Sequence, residues 1–132
     1  MTELPRPSAG LLEGLRVLEI GPGRAAAIAG RMFLDAGAIV ETLGAVAEAP
    51  VEQYLQRGKR PVSEAAMAAA DLLIVEGGPA ALAARGHELA SLRQENGAAP
   101  VVLISPFGQT GPRADDAART SPSSPPAAWR GC

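Results

Sequence analysis

Two short stretches hold residue types at spacings that could do ligand chemistry. The first is Val17-Leu18-Glu19-Ile20-Gly21-Pro22-Gly23, a β-rich run that ends in a glycine turn and leads into a helical pattern. Glycines let the backbone turn tightly, and a helix starting behind the turn offers unpaired N–H groups and a positive dipole end to an anion. The second is Arg57-Gly58-Lys59-Arg60, a basic cluster in an irregular stretch. A guanidinium meets phosphate as a two-pronged fork and an ammonium as a point charge. Taken alone, such a cluster reads more readily as a solvated loop.

Three ligand classes use the glycine turn. For a dinucleotide, Gly21-x-Gly23-x-x-Ala26 stands in for the usual glycine pattern and Glu41 lies near the expected ribose-binding position. For S-adenosylmethionine, V-L-E-I-G-P-G resembles the first motif of class I methyltransferases, with Arg24-Ala25 where that family usually carries another glycine. Coenzyme A is the third. A tight turn with no ligand stands beside all three, because glycine turns are routine in α/β proteins. Other reactive groups are sparse. His87 is the only histidine and reads as structural; Cys132 is the only cysteine, which excludes a disulfide framework and a zinc cluster. Asp115 and Asp116 fall in a loop and have no catalytic role in this reading.

The elements that must position these residues follow from periodicity. Leu15 to Ile20 reads as a strand, and Arg24 to Asp35 places Ala25, Ile28, Ala29, Met32 and Phe33 at helical spacing, with Gly37 as the stop. Ala38 to Leu43 is a second strand, so the start of the chain is a β-α-β unit, which favours a parallel sheet. Gly44 to Ser63 is less regular. Glu64 to Ala70 reads as helical, Asp71 to Val75 as a buried strand, Ala80 to Arg85 and Glu88 to Glu95 as short helices, and Val101 to Ser105 as the clearest strand. The expected fold class is α/β: a Rossmann-like parallel sheet of about four strands with flanking helices.

Composition narrows the function classes. The 132 residues, 47% of them hydrophobic, suffice for one core in one domain. A net charge of −2 supplies no basic field for a nucleic-acid backbone. No apolar run reaches transmembrane length, and Met1 to Gly14 lacks a secretory pattern, so a cytoplasmic protein away from membranes is expected.

Read in order, Glu13 to Glu19, Leu34-Asp35-Ala36-Gly37-Ala38, Arg57 to Val62, Ala70 to Ile74 and Pro106-Phe107-Gly108-Gln109-Thr110-Gly111-Pro112 resemble the N-terminal part of the family III CoA-transferases. That group includes formyl-CoA transferase, carnitine CoA-transferase and the α-methylacyl-CoA racemases. The resemblance covers about residues 10 to 118. It implies a CoA-binding first region, with Gly23 and Arg24 beside the nucleotide and Arg57 and Lys59 toward the CoA phosphates. Acyl-CoA is then the small-molecule partner, and no metal is required. Two departures stand out. Gly77 and Gly78 replace an aromatic and an arginine that clasp the nucleotide in the family, and Thr42, Gly44 and Ala45 fall where it usually has a lysine, an acid and a proline neighbour. CoA binding is therefore expected to be weak or lost.

The family's catalytic aspartate, which carries CoA as an enzyme-bound thioester, falls beyond Cys132 in this comparison, so no catalytic residue is assigned. The expected divisions are residues 1–118 as the CoA-binding part and 119–132 as an irregular tail. Back-translated and read one base earlier, the tail permits Ala-Asp-Val-Ala-Leu-Val-Pro-Ala-Ser-Gly, a family-like continuation, so a frameshifted fragment is the expectation. Intact relatives are interlocked homodimers, and this chain is not expected to interlock. A methyltransferase fragment and a non-catalytic CoA-binding or interaction module are the rival readings.

Overall fold

The computed structural model describes residues 10–97 and 99–117. Its centre is β1, Arg16–Ile20, and β4, Leu72–Glu76, two apolar runs that lie side by side. Burial on both faces demands runs of this kind in a parallel sheet. Around them the chain forms a five-stranded, wholly parallel sheet in the order β3-β2-β1-β4-β5, where β2 is Ile39–Leu43, β3 Arg60–Pro61 and β5 Val101–Ile104. The α/β class and the parallel sheet are as expected. The fifth strand is an addition: β3 is two residues long, paired to Glu41 and Thr42. Pro61 lacks a backbone donor, which confines it to an edge of this kind.

Helices cover both faces. On one lies α1, Arg24–Asp35, whose small residues Ala26, Ala27 and Gly30 pack inward. Val17, Val40, Ile74 and Ala38 meet α1 there. Helix α2, Pro50–Gln56, lies beside α1 with Leu55 buried. It occupies the stretch that the sequence leaves irregular. Pro50 sits in its first turn, where a missing N–H costs nothing. The opposite face is covered by a 3-10 helix at Glu64–Ala69 and by α3, Pro79–Ala84, and α4, Leu89–Asn96. Their Met67, Leu82 and Leu92 pack on Leu18, Ile20, Leu73 and Val75. Burying a side chain of this size contributes roughly 1.5–3 kcal/mol each.

Alternation along β1 assigns its charged residue. Val17 and Glu19 face α1, while Leu18 and Ile20 face the other layer. Glu19 is thus a carboxylate inside the α1 layer. The tail 119–132, with Cys132 and the frameshift reading, lies outside the described residues. No helix among the described residues is long and apolar enough to cross a membrane.

Candidate functional site

The chain runs from β1 outward to β2 and β3, then crosses back to β4 and β5 on the other side of β1. In open α/β sheets the reversal opens a crevice at the carboxyl ends of the strands, and ligands bind there. The crevice here is made by the turns that follow β1 and β4, Gly21-Pro22-Gly23 and Gly77-Gly78.

The first turn is tight for stated reasons. Gly21 has φ +111°, a conformation that side-chain-bearing residues rarely adopt, and its N–H donates to the Leu43 carbonyl at 2.9 Å. Gly23 caps α1 with no side-chain acceptor of its own. The acceptor comes from the neighbouring strand: the Ala26 N–H donates to Glu76 Oε2 at 2.7 Å. A Cβ on Gly23 would collide with the Glu76 carboxyl group. The anion at the start of α1 is thus the protein's own.

The basic cluster divides. Lys59 was expected to face phosphate; its side chain is 1% exposed and its Nζ pairs with Glu19 Oε2 at 2.6 Å, itself 0% exposed. The ammonium also donates to the Ala27 carbonyl at 2.7 Å, and Gln56 Nε2 donates to Glu19 Oε1 at 3.1 Å. A Cβ on Gly30 would collide with the same carboxylate. A buried carboxylate needs a partner and further hydrogen bonds, and this set supplies both. Lys59 is therefore directed inward, contrary to the expectation. Arg57 is exposed at the end of α2, and its carbonyl accepts from Arg31 Nη1 at 2.8 Å. Arg24 is exposed in the first turn of α1, with Nη2 3.6 Å from Glu52 Oε1. Glu52 accepts the Ala49 and Glu48 N–H groups at 3.1 and 3.2 Å. The Ala49 bond chiefly holds its carboxyl below the usual range. Desolvation opposes the shift, and the Glu48 bond and Arg24 add to it.

Glu41, the ribose candidate of the dinucleotide reading, is buried and accepts from Arg16 Nη2 at 2.8 Å. Within F-G-Q-T-G-P, Gln109 donates to the Gly77 carbonyl at 2.9 Å, which ties the loop after β5 to the turn after β4. Asp115 Oδ1 accepts from the Ala80 N–H at 2.8 Å and so caps α3, whose N-cap, Gly78, has no side chain to do it. Asp116 pairs with Arg113 at 2.9 Å.

A cavity of about 380 Å³ opens at the carboxyl ends of β1 and β2, lined by Gly21, Pro22, Leu43, Gly44, Arg85 and His87. Larger clefts lie beside Phe107 and Arg113 and between α3, α4 and Gln109, but neither is lined by the turn after β1. None of Gly23, Arg24, Arg57 and Lys59 lines the 380 Å³ cavity. Arg85 does. Its Nη2 donates to the Glu76 carbonyl at 3.3 Å and its Nε to the Ala81 carbonyl at 3.2 Å. Its guanidinium fills space that a side chain on Gly77 would need, since a Cβ there would lie 2.8 Å from Nη2. Sequence reasoning missed Arg85. The signal was the Gly77-Gly78 pair, which leaves room for a cation from elsewhere. His87, buried at the start of the α3–α4 connection's second half, shares the cavity wall. Among the described residues no cluster of His, Cys, Asp and Glu could hold a metal ion.

No protein-family model and no curated protein matches the sequence. Solved structures do. A CAIB/BAIF family protein from Brucella suis superimposes with a TM-score of 0.70 at 25% identity, over 83% of this chain and 37% of that one. A hypothetical protein (Rv3272) from Mycobacterium tuberculosis matches with a TM-score of 0.69 at 25% identity, over 84% of this chain and 37% of its own. The chain thus corresponds to 37% of the length of these structural neighbours. That is the relation expected of one part of a CAIB/BAIF-like protein.

Proposed function

We propose that these residues form the nucleotide-holding α/β part of a CoA-transferase of the CAIB/BAIF type. One observation carries the reading. A largely apolar cavity with one guanidinium, Arg85, and one imidazole, His87, in its wall sits at the carboxyl ends of β1 and β2, on a fold shared with a CAIB/BAIF family protein. Pro22, Leu43 and the glycine backbones suit a flat purine ring. Arg85 suits a phosphate next to it, through the N–H groups not committed to Glu76 and Ala81. Arg24 and Arg57, both exposed, are the further cations available to the rest of the CoA phosphates through their side chains, while the backbone at Gly23 is already occupied by the Glu76 carboxylate. Lys59 is not among these contacts, because its charge is answered by Glu19. No transfer step is proposed for these residues, and the substrate class is an acyl-CoA rather than a nicotinamide or S-adenosylmethionine.

Calorimetric titration of the 132-residue chain with coenzyme A, S-adenosylmethionine and NAD tests this. The expected result is saturable binding of coenzyme A alone, weakened roughly tenfold or more by Arg85→Met, since a hydrogen bond to a charged group contributes about 1.5–3 kcal/mol. Saturable binding of S-adenosylmethionine without coenzyme A overturns the proposal.

A further inference from the structure

The turn after β1 has the form of an anion site, yet a carboxylate of the same chain is seated in it. We infer that Glu76 is a specificity-determining residue that closes the start of α1 to external anions, so that a phosphate-bearing ligand must place its charge elsewhere in the crevice.

Three observations converge on this. The Glu76 Oε2 atom accepts the Ala26 N–H at 2.7 Å, within the range of a charge-assisted hydrogen bond. The seat is built for that group: Gly23 is the one residue type that leaves room for the carboxyl, because any Cβ there would collide with it. Strand pairing fixes the delivery. The β1–β4 register sets Val75 beside Ile20, so Glu76 emerges opposite Gly21, where its side chain spans the turn to α1. On the other flank, the Glu76 carbonyl is held by Arg85 Nη2 at 3.3 Å. The backbone of Glu76 is thus anchored on the cavity side while its carboxylate is turned toward α1. A phosphate approaching α1 would meet a like charge where the unpaired N–H groups should be. One approaching the cavity would meet the Arg85 guanidinium. The glycine turn then works in the opposite sense to a dinucleotide or methyltransferase turn, which leaves its helix start open. This inference does not depend on the ligand being coenzyme A.

The test uses the full chain, amide NMR and inorganic pyrophosphate as the probe, with coenzyme A titrated separately. In the unmodified protein, pyrophosphate should leave the Gly23 to Ala26 amides unmoved. In Glu76→Ala it should shift those amides saturably, with at least tenfold tighter binding than in the unmodified protein. Because Glu76→Ala also removes a helix cap and could unfold α1, Glu76→Gln is the second variant. The amide is nearly isosteric, and the Ala26 amide proton should move upfield as its acceptor loses charge. Pyrophosphate shifts at Gly23 to Ala26 of equal strength with and without the carboxylate would overturn the inference, as would an unmoved Ala26 amide in Glu76→Gln. Coenzyme A that fails to bind while these shifts behave as expected overturns the proposed function and leaves this inference standing. Coenzyme A binding that itself displaces Glu76 from Ala26 does the reverse.

Discussion

Lys59→Met separates a buried strut from a ligand contact, because the two roles give opposite results. The substitution keeps the aliphatic stem and removes the charge. In the structure it leaves Glu19, 0% exposed at its side chain, without its cation, and deprives the Ala27 carbonyl of a donor. Breaking a buried pair from one side costs about 3–5 kcal/mol, since the remaining charge stays desolvated. Domains of this size have about 5–15 kcal/mol to lose. A chain of 132 residues falls between the domain sizes for which a kcal/mol shifts Tm by about 4–8 °C and by about 2–4 °C, so Tm should fall by roughly 10 °C or more. Urea unfolding followed by far-UV circular dichroism measures the loss. The double variant Glu19→Leu with Lys59→Met should recover about 2 kcal/mol or more relative to the single one, because apolar replacements for a buried pair are often neutral. A Lys59→Met protein that unfolds within about 0.5 kcal/mol of the original, a typical surface-substitution effect, and that loses binding of coenzyme A, would refute the inward placement of Lys59.

Two further outcomes test the helix starts. Asp115→Ala should destabilise the domain by about 1 kcal/mol, the usual worth of a cap, with amide exchange quickening first at Ala80. Glu52 tests pH dependence. Its folded pKa is depressed, chiefly by the Ala49 N–H, so its contribution is fully present above the unfolded glutamate value, about 4.3, and is lost as pH falls through the lower folded value. The stability difference between the original protein and Glu52→Gln should therefore shrink as pH drops from about 6 toward 3, measured by urea unfolding at each pH.

Apolar patterning made β1, α1, β2, β4, α4 and β5 legible, because each buries apolar side chains against the adjacent layer. The missed elements owe their form to something else. Helix α2 is short, carries Glu52, Gln53 and Gln56, and buries Leu55, so its pattern is weak over seven residues. Strand β3 is two exposed residues that become a strand because β2 offers an open edge. Residue type alone pointed to the glycine turn as a place that can hold an anion, and the structure seats the Glu76 carboxylate there. Residue type could not say whose anion.

That distinction rests on strand order. A carboxylate in the middle of an apolar strand, as Glu19 is in V-L-E-I, must find a cation, and the basic cluster 40 residues downstream offers Lys59 and Arg60 among others. Alternation decides between them. Lys59 reaches the α1 layer in which Glu19 lies, while Arg60 is exposed on the edge strand. Glu76 is set by the same logic at longer range. Its fate depends on β4 lying beside β1 rather than beyond β2, which no local window reveals. Once that adjacency is granted, an acid one residue past Val75 falls against the first turn of α1, and Gly23 provides the space for it. The two expected phosphate contacts nearest the sheet, the α1 start and Lys59, thus both face glutamates of the same chain, and the arginine that lines the cavity among the described residues is Arg85, which fills the room left by Gly77.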